Sequence, residues 1–156
     1  MFKMIRIFRE SEINQLHEMI QKTIDVSYSN HYPTRAVQFF QSYHSKRSIN
    51  ERHQRGVLLI VESNKKIVAT GSLVENEISG VFVLHTKQKQ GLGKQIMFEL
   101  EARAKNQGIS EITLDVSLPS RKFYENLDYQ ISEPQQLDVG EGQTLKYWKA
   151  KKRINS

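Results

Sequence analysis

A short glycine-rich segment contains the residue types best suited to chemistry. It runs from Gln88 to Gly93 (QKQGLG), between a strand-like and a helix-like stretch. The first amides of a helix have no intrahelical partner, and the helix dipole gives them partial positive charge. Glycines let the main chain approach an anion closely, and Lys87, Lys89 and Lys94 add positive charge. The segment therefore predicts an anion site suited to a pyrophosphate.

Two common phosphate-binding motifs do not match this segment. A P-loop requires a glycine where Gln88 stands, and a serine or threonine where Gln95 stands. A dinucleotide-binding fingerprint requires a glycine or alanine where Ile96 stands. The sequence therefore excludes both motifs at this position.

The strands that must position the segment follow from hydrophobic patterning. Residues 57–61 form a continuous apolar run rich in β-branched residues, which is typical of a buried strand. A turn at 62–65 joins this strand to a hairpin partner. We predict seven strands in all, at 4–8, 57–61, 67–74, 79–84, 112–116, 129–131 and 144–148.

The helices follow from apolar residues at helical spacing. Ser11 is predicted to cap a first helix, and Pro33 to begin a second that includes Phe39 and Phe40. A third is predicted from Gly91 and ends at Gly108, with a buried face. Pro119 begins a short fourth helix, and the polar stretch 45–55 is left unassigned. The predicted buried faces are Ile13, Leu16, Ile20 and Ile24 in the first helix, and Leu92, Ile96, Met97, Leu100 and Ala104 in the third.

Composition limits the classes of protein that fit. The chain has 156 residues, no cysteine and a formal net charge of +6. Disulfides, thiolate metal sites and a cysteine nucleophile are therefore excluded. No apolar run is long enough to span a bilayer and no signal peptide is recognisable, so a cytoplasmic location is expected. The alternation of strands and helices predicts one α/β domain over residues 1–156. Five cations near the end of the chain predict a solvated basic tail or an anion-binding patch: Lys146, Lys149, Lys151, Lys152 and Arg153.

Two motifs in this order resemble those of the GNAT superfamily of N-acetyltransferases. The first is the segment from Gln88 to Gly93, which fits glutamine or arginine, two residues, glycine, one residue, glycine or alanine. The second is the stretch 120–129, similar to the family's helix with a tyrosine and the turn after it. The resemblance covers about Ile5 to Trp148. It implies a mixed, mostly antiparallel sheet of six to seven strands with about four helices.

The resemblance implies acetyl-coenzyme A as co-substrate and no metal. By position it places the pantetheine arm along the strand at Val83, and the pyrophosphate on the segment that begins at Gln88. Ser117 stands where the family often has asparagine, and Asp128 where it usually has glycine. The implied cofactor-binding residues are Phe82, Val83, Leu84, Gln88, Lys89, Gln90, Gly91, Leu92, Gly93, Lys94, Ser117 and Tyr124.

Catalytic roles are also implied by the resemblance. Tyr124 matches the family's tyrosine near the cofactor sulfur, and such a phenol is protonated at neutral pH and can act as general acid. The general base is not fixed. Glu75 is the first candidate, and Glu77 and His85 are open alternatives.

The acceptor is expected between the first two helices and the sheet. Tyr28, His31 and Tyr32 lie in this region and are the candidate substrate-binding residues, although packing of the helices on the sheet explains them slightly better. The expected acceptor is a primary amine of a small molecule or peptide. No membrane partner is expected, and the oligomeric state is left open between monomer and homodimer.

Two other classes of function compete with acetyl transfer. A non-catalytic acyl-CoA-binding module would keep the glycine-rich loop without depending on Tyr124. A basic nucleic-acid-binding domain is suggested by charge alone and ranks last, since no recognition helix or aromatic platform is evident.

Overall fold

A seven-stranded sheet forms the centre of the molecule. The computed structural model describes residues 3–155, and the strand order is β1-β2-β3-β4-β5-β7-β6. The strands are β1 Lys3–Ile7, β2 Val57–Ser63, β3 Lys66–Val74, β4 Glu77–Val83, β5 Glu111–Ser117, β6 Gln130–Gly140 and β7 Gln143–Arg153. All neighbours pair antiparallel except β4 and β5, which are parallel. The predicted mixed, mostly antiparallel sheet is confirmed.

Five helices cover the two faces of this sheet. They are α1 Ile13–Tyr28, α2 Thr34–Tyr43, α3 Lys46–Arg55, α4 Leu92–Asn106 and α5 Arg121–Asn126. Helices α1, α2 and α3 bury one core, with Leu16, Val37 and Ile49 among its residues. Helices α4 and α5 pack over a second core, which includes Ile96 and Tyr124. The predicted apolar faces of α1 and α4 are therefore in the core, with Ile13 only partly buried.

The start of α1 differs from the prediction. Residues Glu10–Glu12 form a 3-10 turn, and the Ser11 side chain does not cap the helix. The Glu12 carboxylate instead accepts the Arg9 amide at 3.0 Å and pairs with Arg6 at 2.6 Å. The Glu12 carboxylate thus satisfies an amide at the start of the 3-10 turn, and among the described residues no side chain caps α1 itself.

Helix α3 was not predicted, and strands β6 and β7 were predicted too short. The hydrophobic patterns of these three elements are weak. Helix α3 buries only Ile49, and the Ser45 hydroxyl caps it by accepting the Ser48 amide at 3.2 Å. Strands β6 and β7 are longer than predicted because polar residues alternate along them. Residues 146–153 thus belong to β7, paired between β5 and β6, and the predicted solvated tail is wrong.

Two of the predicted turns have residues with positive φ. Asn64 and Lys65 both adopt positive φ between β2 and β3, as a tight hairpin requires. Gly108, at φ +81, follows the end of α4 as predicted.

Within residues 3–155, none of the helices combines the length and apolarity needed to cross a bilayer.

Candidate active site

Strands β4 and β5 separate soon after they begin. Their parallel pairing is confined to Glu77 opposite Thr113. Beyond this pair, β4 continues beside β3 alone, and β5 continues beside β7. The sheet is therefore split along the later part of β4, which leaves backbone groups there without a strand partner.

A β-bulge bends β4 at the start of this split. Gly80 and Val81 together face the single residue Gly71 of β3, and Gly80 has φ +63. A side chain at Gly80 would also collide with the Arg52 guanidinium, 2.9 Å from the position of a Cβ. Glycine is favoured here by the positive φ, whereas the end of the flexible Arg52 side chain could move aside.

The bulge determines which amides of β4 face the split. The Leu84 amide donates to the Val68 carbonyl of β3 at 2.8 Å. Successive amides of an extended strand point to alternate sides. The amides of Val81 and Val83 therefore point away from β3, towards the split.

The glycine-rich segment turns into α4 with its amides free. Lys89 and Gly91 adopt positive φ of 63° and 82°, and Gly91 occupies the N-cap of α4. The Gln95 amide is the first to bond back, to the Gly91 carbonyl at 3.0 Å. Residues 92–94 therefore present amides with no intrahelical partner, as an anion site requires.

Three contacts hold this segment in place. The side-chain Nε2 of Gln88 donates to the Val83 carbonyl at 3.0 Å and to the Ser27 hydroxyl at 3.3 Å. A Cβ on Gly93 would lie 3.1 Å from the Phe123 ring, so glycine permits the close packing of α4 on α5. The loop is thus tied to β4, α1 and α5.

A cavity of about 600 Å³, here called the larger cavity, lies against this loop. Its walls come from α1, the end of β4, the start of α4, and α5. Eight residues predicted to bind the cofactor line it together with Tyr124: Phe82, Val83, Gln88, Lys89, Gly91, Leu92, Gly93 and Lys94. The Lys94 ammonium is directed along α4, 5.5 Å from the centre of the Phe98 ring.

A second cavity of about 240 Å³, here called the smaller cavity, lies between α2 and the sheet. Aromatic residues from α2 and β7 line it, including Phe39, Tyr43 and Tyr147. Its charged residues are Glu77 of β4 and Asp115 of β5. The prediction of an acceptor region between the first helices and the sheet coincides with this cavity.

The two cavities share a wall where β4 and β5 separate. Five residues line both of them: Tyr28, Val81, Phe82, Ser120 and Tyr124. A molecule in one cavity can therefore meet a molecule in the other at this wall. The arrangement suits a reaction between two bound molecules.

Tyr124 is the buried phenol of the shared wall. Its side chain projects from α5 with only 7% of the residue exposed. Burial raises the pKa of the Tyr124 hydroxyl above its usual value, and the nearby Tyr28 adds to the increase. The hydroxyl is therefore protonated throughout the neutral range.

Tyr28 connects the shared wall to two serines. Burial raises the pKa of the Tyr28 hydroxyl, and the hydroxyls of Ser117 and Ser120 beside it oppose the increase. The Ser117 and Ser120 hydroxyls lie 2.7 Å apart. Ser117 lines the smaller cavity and not the larger one, so its position differs from the predicted cofactor contact.

Five predicted site residues line neither cavity. Leu84 packs against both cores, and Gln90 and His31 are exposed. Glu75 lies in the turn between β3 and β4, with 81% of its side chain exposed, 3.7 Å from Arg55. The fifth is Tyr32.

Tyr32 has a structural role in this molecule. Its hydroxyl donates to the Lys146 carbonyl at 2.7 Å and accepts the Leu118 amide at 2.8 Å. The ring is buried in the core beneath α1 and α2. Tyr32 therefore joins the α1–α2 connection to β7 and to the end of β5.

Glu77, the alternative to Glu75, does line the smaller cavity. Burial raises the pKa of the Glu77 carboxyl, and the neighbouring Asp115 raises it further, while Lys149 lowers it. Asp115 pairs with Lys149 at 3.4 Å. Two carboxylates from neighbouring strands thus lie at the same site.

Several residues of the smaller cavity were not predicted from the sequence to belong to a site. Asp115 alternates with the buried Leu114 and Val116 of β5, and this alternation places it on the opposite face. His44, also in the wall, is 6% exposed, and burial lowers its pKa to about 3, so it is neutral. Within residues 3–155, no cluster of acidic and histidine side chains is suited to hold a metal ion.

Comparisons with known proteins agree with this architecture. The family model described as "Acetyltransferase (GNAT) domain" matches residues 28–141. An uncharacterised acetyltransferase of Streptococcus pyogenes serotype M3 is 29% identical over 92 residues, and a serotype M1 relative matches equally. The alignment covers 56% of this chain and only 65% of the length of each relative.

Solved structures share the fold over nearly the whole chain. A GCN5-related N-acetyltransferase from Rhodopseudomonas palustris has a TM-score of 0.87 at 15% identity, covering 98% of this chain and 96% of its own. An N-acetyltransferase from Thermoplasma acidophilum in complex with coenzyme A has a TM-score of 0.78 at 16% identity, covering 98% and 99%. A putative acetyltransferase from Salmonella typhimurium with acetyl-CoA has a TM-score of 0.70 at 12% identity, covering 100% and 96%. With its family model matched over most of its length, the chain belongs to the GNAT acetyltransferase family.

Proposed function

We propose that this protein transfers an acetyl group from acetyl-CoA to the primary amine of a small molecule. The observation that supports this most strongly is the wall shared by the two cavities at the split between β4 and β5. A thioester in the larger cavity and an amine in the smaller one would meet there. Such an arrangement replaces a bimolecular encounter with a fixed geometry.

The larger cavity suits the cofactor. The free amides of residues 92–94 and the Lys89 ammonium would bind the diphosphate. The Val83 amide faces the split and would pair with the pantetheine arm. The Thermoplasma and Salmonella proteins of the same fold bind coenzyme A and acetyl-CoA respectively, which supports this choice of ligand.

The Val81 amide is suited to the thioester carbonyl. It follows the bulge at Gly80 and points into the split, at a residue that lines both cavities. When the amine nitrogen attacks the carbonyl carbon, negative charge develops on the oxygen. A fixed amide donor stabilises that charge more in the transition state than in the ground state.

Two side chains would complete the proton transfers. The amine must lose a proton, and Glu77, one of the two carboxylates that line the smaller cavity, would accept it through water. The C–S bond then breaks, and the thiolate takes a proton from the Tyr124 hydroxyl at the shared wall. The products are the N-acetylated amine and coenzyme A, and the proton released by the amine balances the one that Tyr124 regains.

The test is a thiol-release assay with acetyl-CoA and a panel of primary amines, paired with calorimetry for coenzyme A. Amine-dependent thiol release is the expected result. Coenzyme A binding without thiol release for any amine would support a binding module instead. Absence of both would contradict the proposal.

A further inference from the structure

The smaller cavity has charges of a single sign in its walls. Among its lining residues, all of them within residues 3–155, Glu77 and Asp115 are the charged ones, and no lysine or arginine lines it. The glycine-rich loop of the larger cavity instead carries Lys89 and Lys94. The Arg52 guanidinium lies behind Gly80 and does not line the smaller cavity. The charges that a ligand in the smaller cavity can contact are therefore carboxylates, which suit a cation.

The two carboxylates come together because of the strand register. Glu77 of β4 lies opposite Thr113 of β5, and Asp115 is two residues further along β5 on the same face as Thr113. Among residues 3–155, no side-chain cation lies within ion-pair distance of Glu77. Two adjacent carboxylates repel each other, and a cation beside Asp115 would relieve the repulsion.

Aromatic rings surround the carboxylates at the mouth of the cavity. Phe39 and Tyr43 stack with ring centres 6.2 Å apart, and both are unusually exposed for large rings, at 38% and 54%. Ring faces attract ammonium groups. The chain's own Lys149 shows that an ammonium can bind here, because its Nζ lies 3.4 Å from Asp115 and 6.0 Å from the centre of the Tyr147 ring.

We propose that the acceptor is an aliphatic diamine, whose second ammonium binds at Asp115 beside these rings, while Glu77 serves the reacting amine through water. This inference rests on the proposed acetyl transfer and specifies its substrate class. Asp115 is two residues from Ser117, whose hydroxyl touches Ser120 of the shared wall, and two strand residues span about 7 Å. That span matches the nitrogen-to-nitrogen reach of an extended chain of about four or five carbon atoms.

The size of the cavity agrees with this class of acceptor. At about 240 Å³, it is smaller than the range of about 300–1,000 Å³ typical of sites for drug-sized ligands. A short diamine fits this space, whereas a large polycationic sugar would extend well beyond it.

The experiment compares three acceptors of similar length: the diamine 1,4-diaminobutane, butylamine and 4-aminobutanoate. They differ mainly in whether the far end is positive, apolar or negative. We expect kcat/KM to be about tenfold higher for the diamine than for butylamine, and 4-aminobutanoate to be the poorest acceptor. Calorimetry with the diamine in the presence of coenzyme A measures binding independently of turnover.

Variants assign the effect to the cavity. Asp115→Asn is expected to lower kcat/KM for the diamine about fivefold more than for butylamine, the size expected of a partly exposed charge pair, because Asp115 also acts on Glu77 with either acceptor. Lys149→Met removes the competing ammonium and is expected to increase the affinity for the diamine. Asp25→Asn, the same charge change on the exposed face of α1, is the control and leaves all three acceptors unchanged.

The outcomes separate this inference from the proposed function. Diamine binding that depends on Asp115, without thiol release, would support the inference and contradict acetyl transfer. Equal kcat/KM for the diamine and butylamine, or no effect of Asp115→Asn, would overturn the inference and leave acetyl transfer standing. A preference for 4-aminobutanoate that Lys149→Met abolishes would also overturn it, as would a diamine that neither binds nor reacts.

Discussion

At the scale of single residues, Tyr124 connects the two halves of the proposed reaction. It is buried, lines both cavities, and keeps its proton at neutral pH because burial raises its pKa. Its place in the short helix after β5 was predicted from the sequence. Its position on a wall common to two cavities required the three-dimensional structure.

Tyr124→Phe removes the hydroxyl and keeps the ring. We expect kcat to fall about 100-fold, the lower end for loss of a general acid, with the dissociation constant for coenzyme A unchanged. Stopped-flow thiol release and calorimetry measure the two quantities. The matched control is Tyr129→Phe, whose ring is 5.7 Å from Tyr124 and whose hydroxyl donates to Glu101 at 2.6 Å. This control should lower stability and leave kcat intact, and equal losses of kcat in both variants would argue against the assigned role.

Glu77 is expected to oppose stability while it supports activity. Its pKa is raised, mainly by burial and then by Asp115, so the folded state binds a proton more tightly than the unfolded chain. Ionisation of Glu77 above its folded-state pKa therefore destabilises the fold at neutral pH. Glu77 is solvent-exposed as a whole residue, so Glu77→Gln should raise the melting temperature at pH 7 only slightly, while it lowers kcat about tenfold or more.

The pH profile provides a second measurement on Glu77. The acidic limb of kcat/KM should have its midpoint above the usual glutamate pKa, and it should disappear in Glu77→Gln. Glu75→Gln is the control, because Glu75 lies in an exposed turn outside both cavities. A loss of the acidic limb in Glu75→Gln would show that the wrong carboxylate had been chosen.

At the scale of elements, the start of α4 is the part that the sequence predicted best. Apolar periodicity, two glycines and flanking lysines all indicated a helix whose amides remain free, and the structure has these features. Asp128 was recognised as standing in for glycine, and it adopts φ +69. These features depend on local backbone conformation, and short sequence patterns predict local conformation well.

Other elements could not be predicted, because their positions depend on contacts with residues far away in the sequence. Helix α3 has one buried residue, and β6 is an edge strand with mostly exposed side chains. Asp115 belongs to the candidate site only because β4 and β5 are neighbours, and the sequence does not reveal this pairing. Tyr32 was proposed to bind substrate, but its hydroxyl bonds to β7, far away along the chain.

Gly91 and Gly108 provide a matched test of the α4 amides. They lie at opposite ends of the same helix, have φ of 82° and 81°, and a Cβ on either would meet nothing within 4 Å. Substitution of either by alanine should lower the free energy of unfolding by about 1–2 kcal/mol, through backbone strain alone. Chemical denaturation measures this effect.

Only the Gly91 substitution should affect the cofactor. We expect Gly91→Ala to weaken coenzyme A binding about fivefold or more, because a shift in φ redirects the amides that would bind the diphosphate. Gly108→Ala should bind coenzyme A as the unmodified protein does. Equal affinities for the two variants would show that the diphosphate does not bind at the start of α4.

At the scale of the whole molecule, the split sheet separates two kinds of charge. Lysines and free amides lie around the larger cavity, and carboxylates line the smaller one, although the net charge of the chain is +6. Fields of opposite sign would guide an anionic cofactor and a cationic acceptor to different entrances.

The most direct test of the account is a crystal structure of the protein with acetyl-CoA. We predict that the diphosphate accepts hydrogen bonds from the amides of residues 92–94. We also predict that the thioester reaches the shared wall, with its sulfur within about 3.5 Å of the Tyr124 hydroxyl. A cofactor bound elsewhere, or one whose acetyl group ends away from the shared wall, would contradict the central claim.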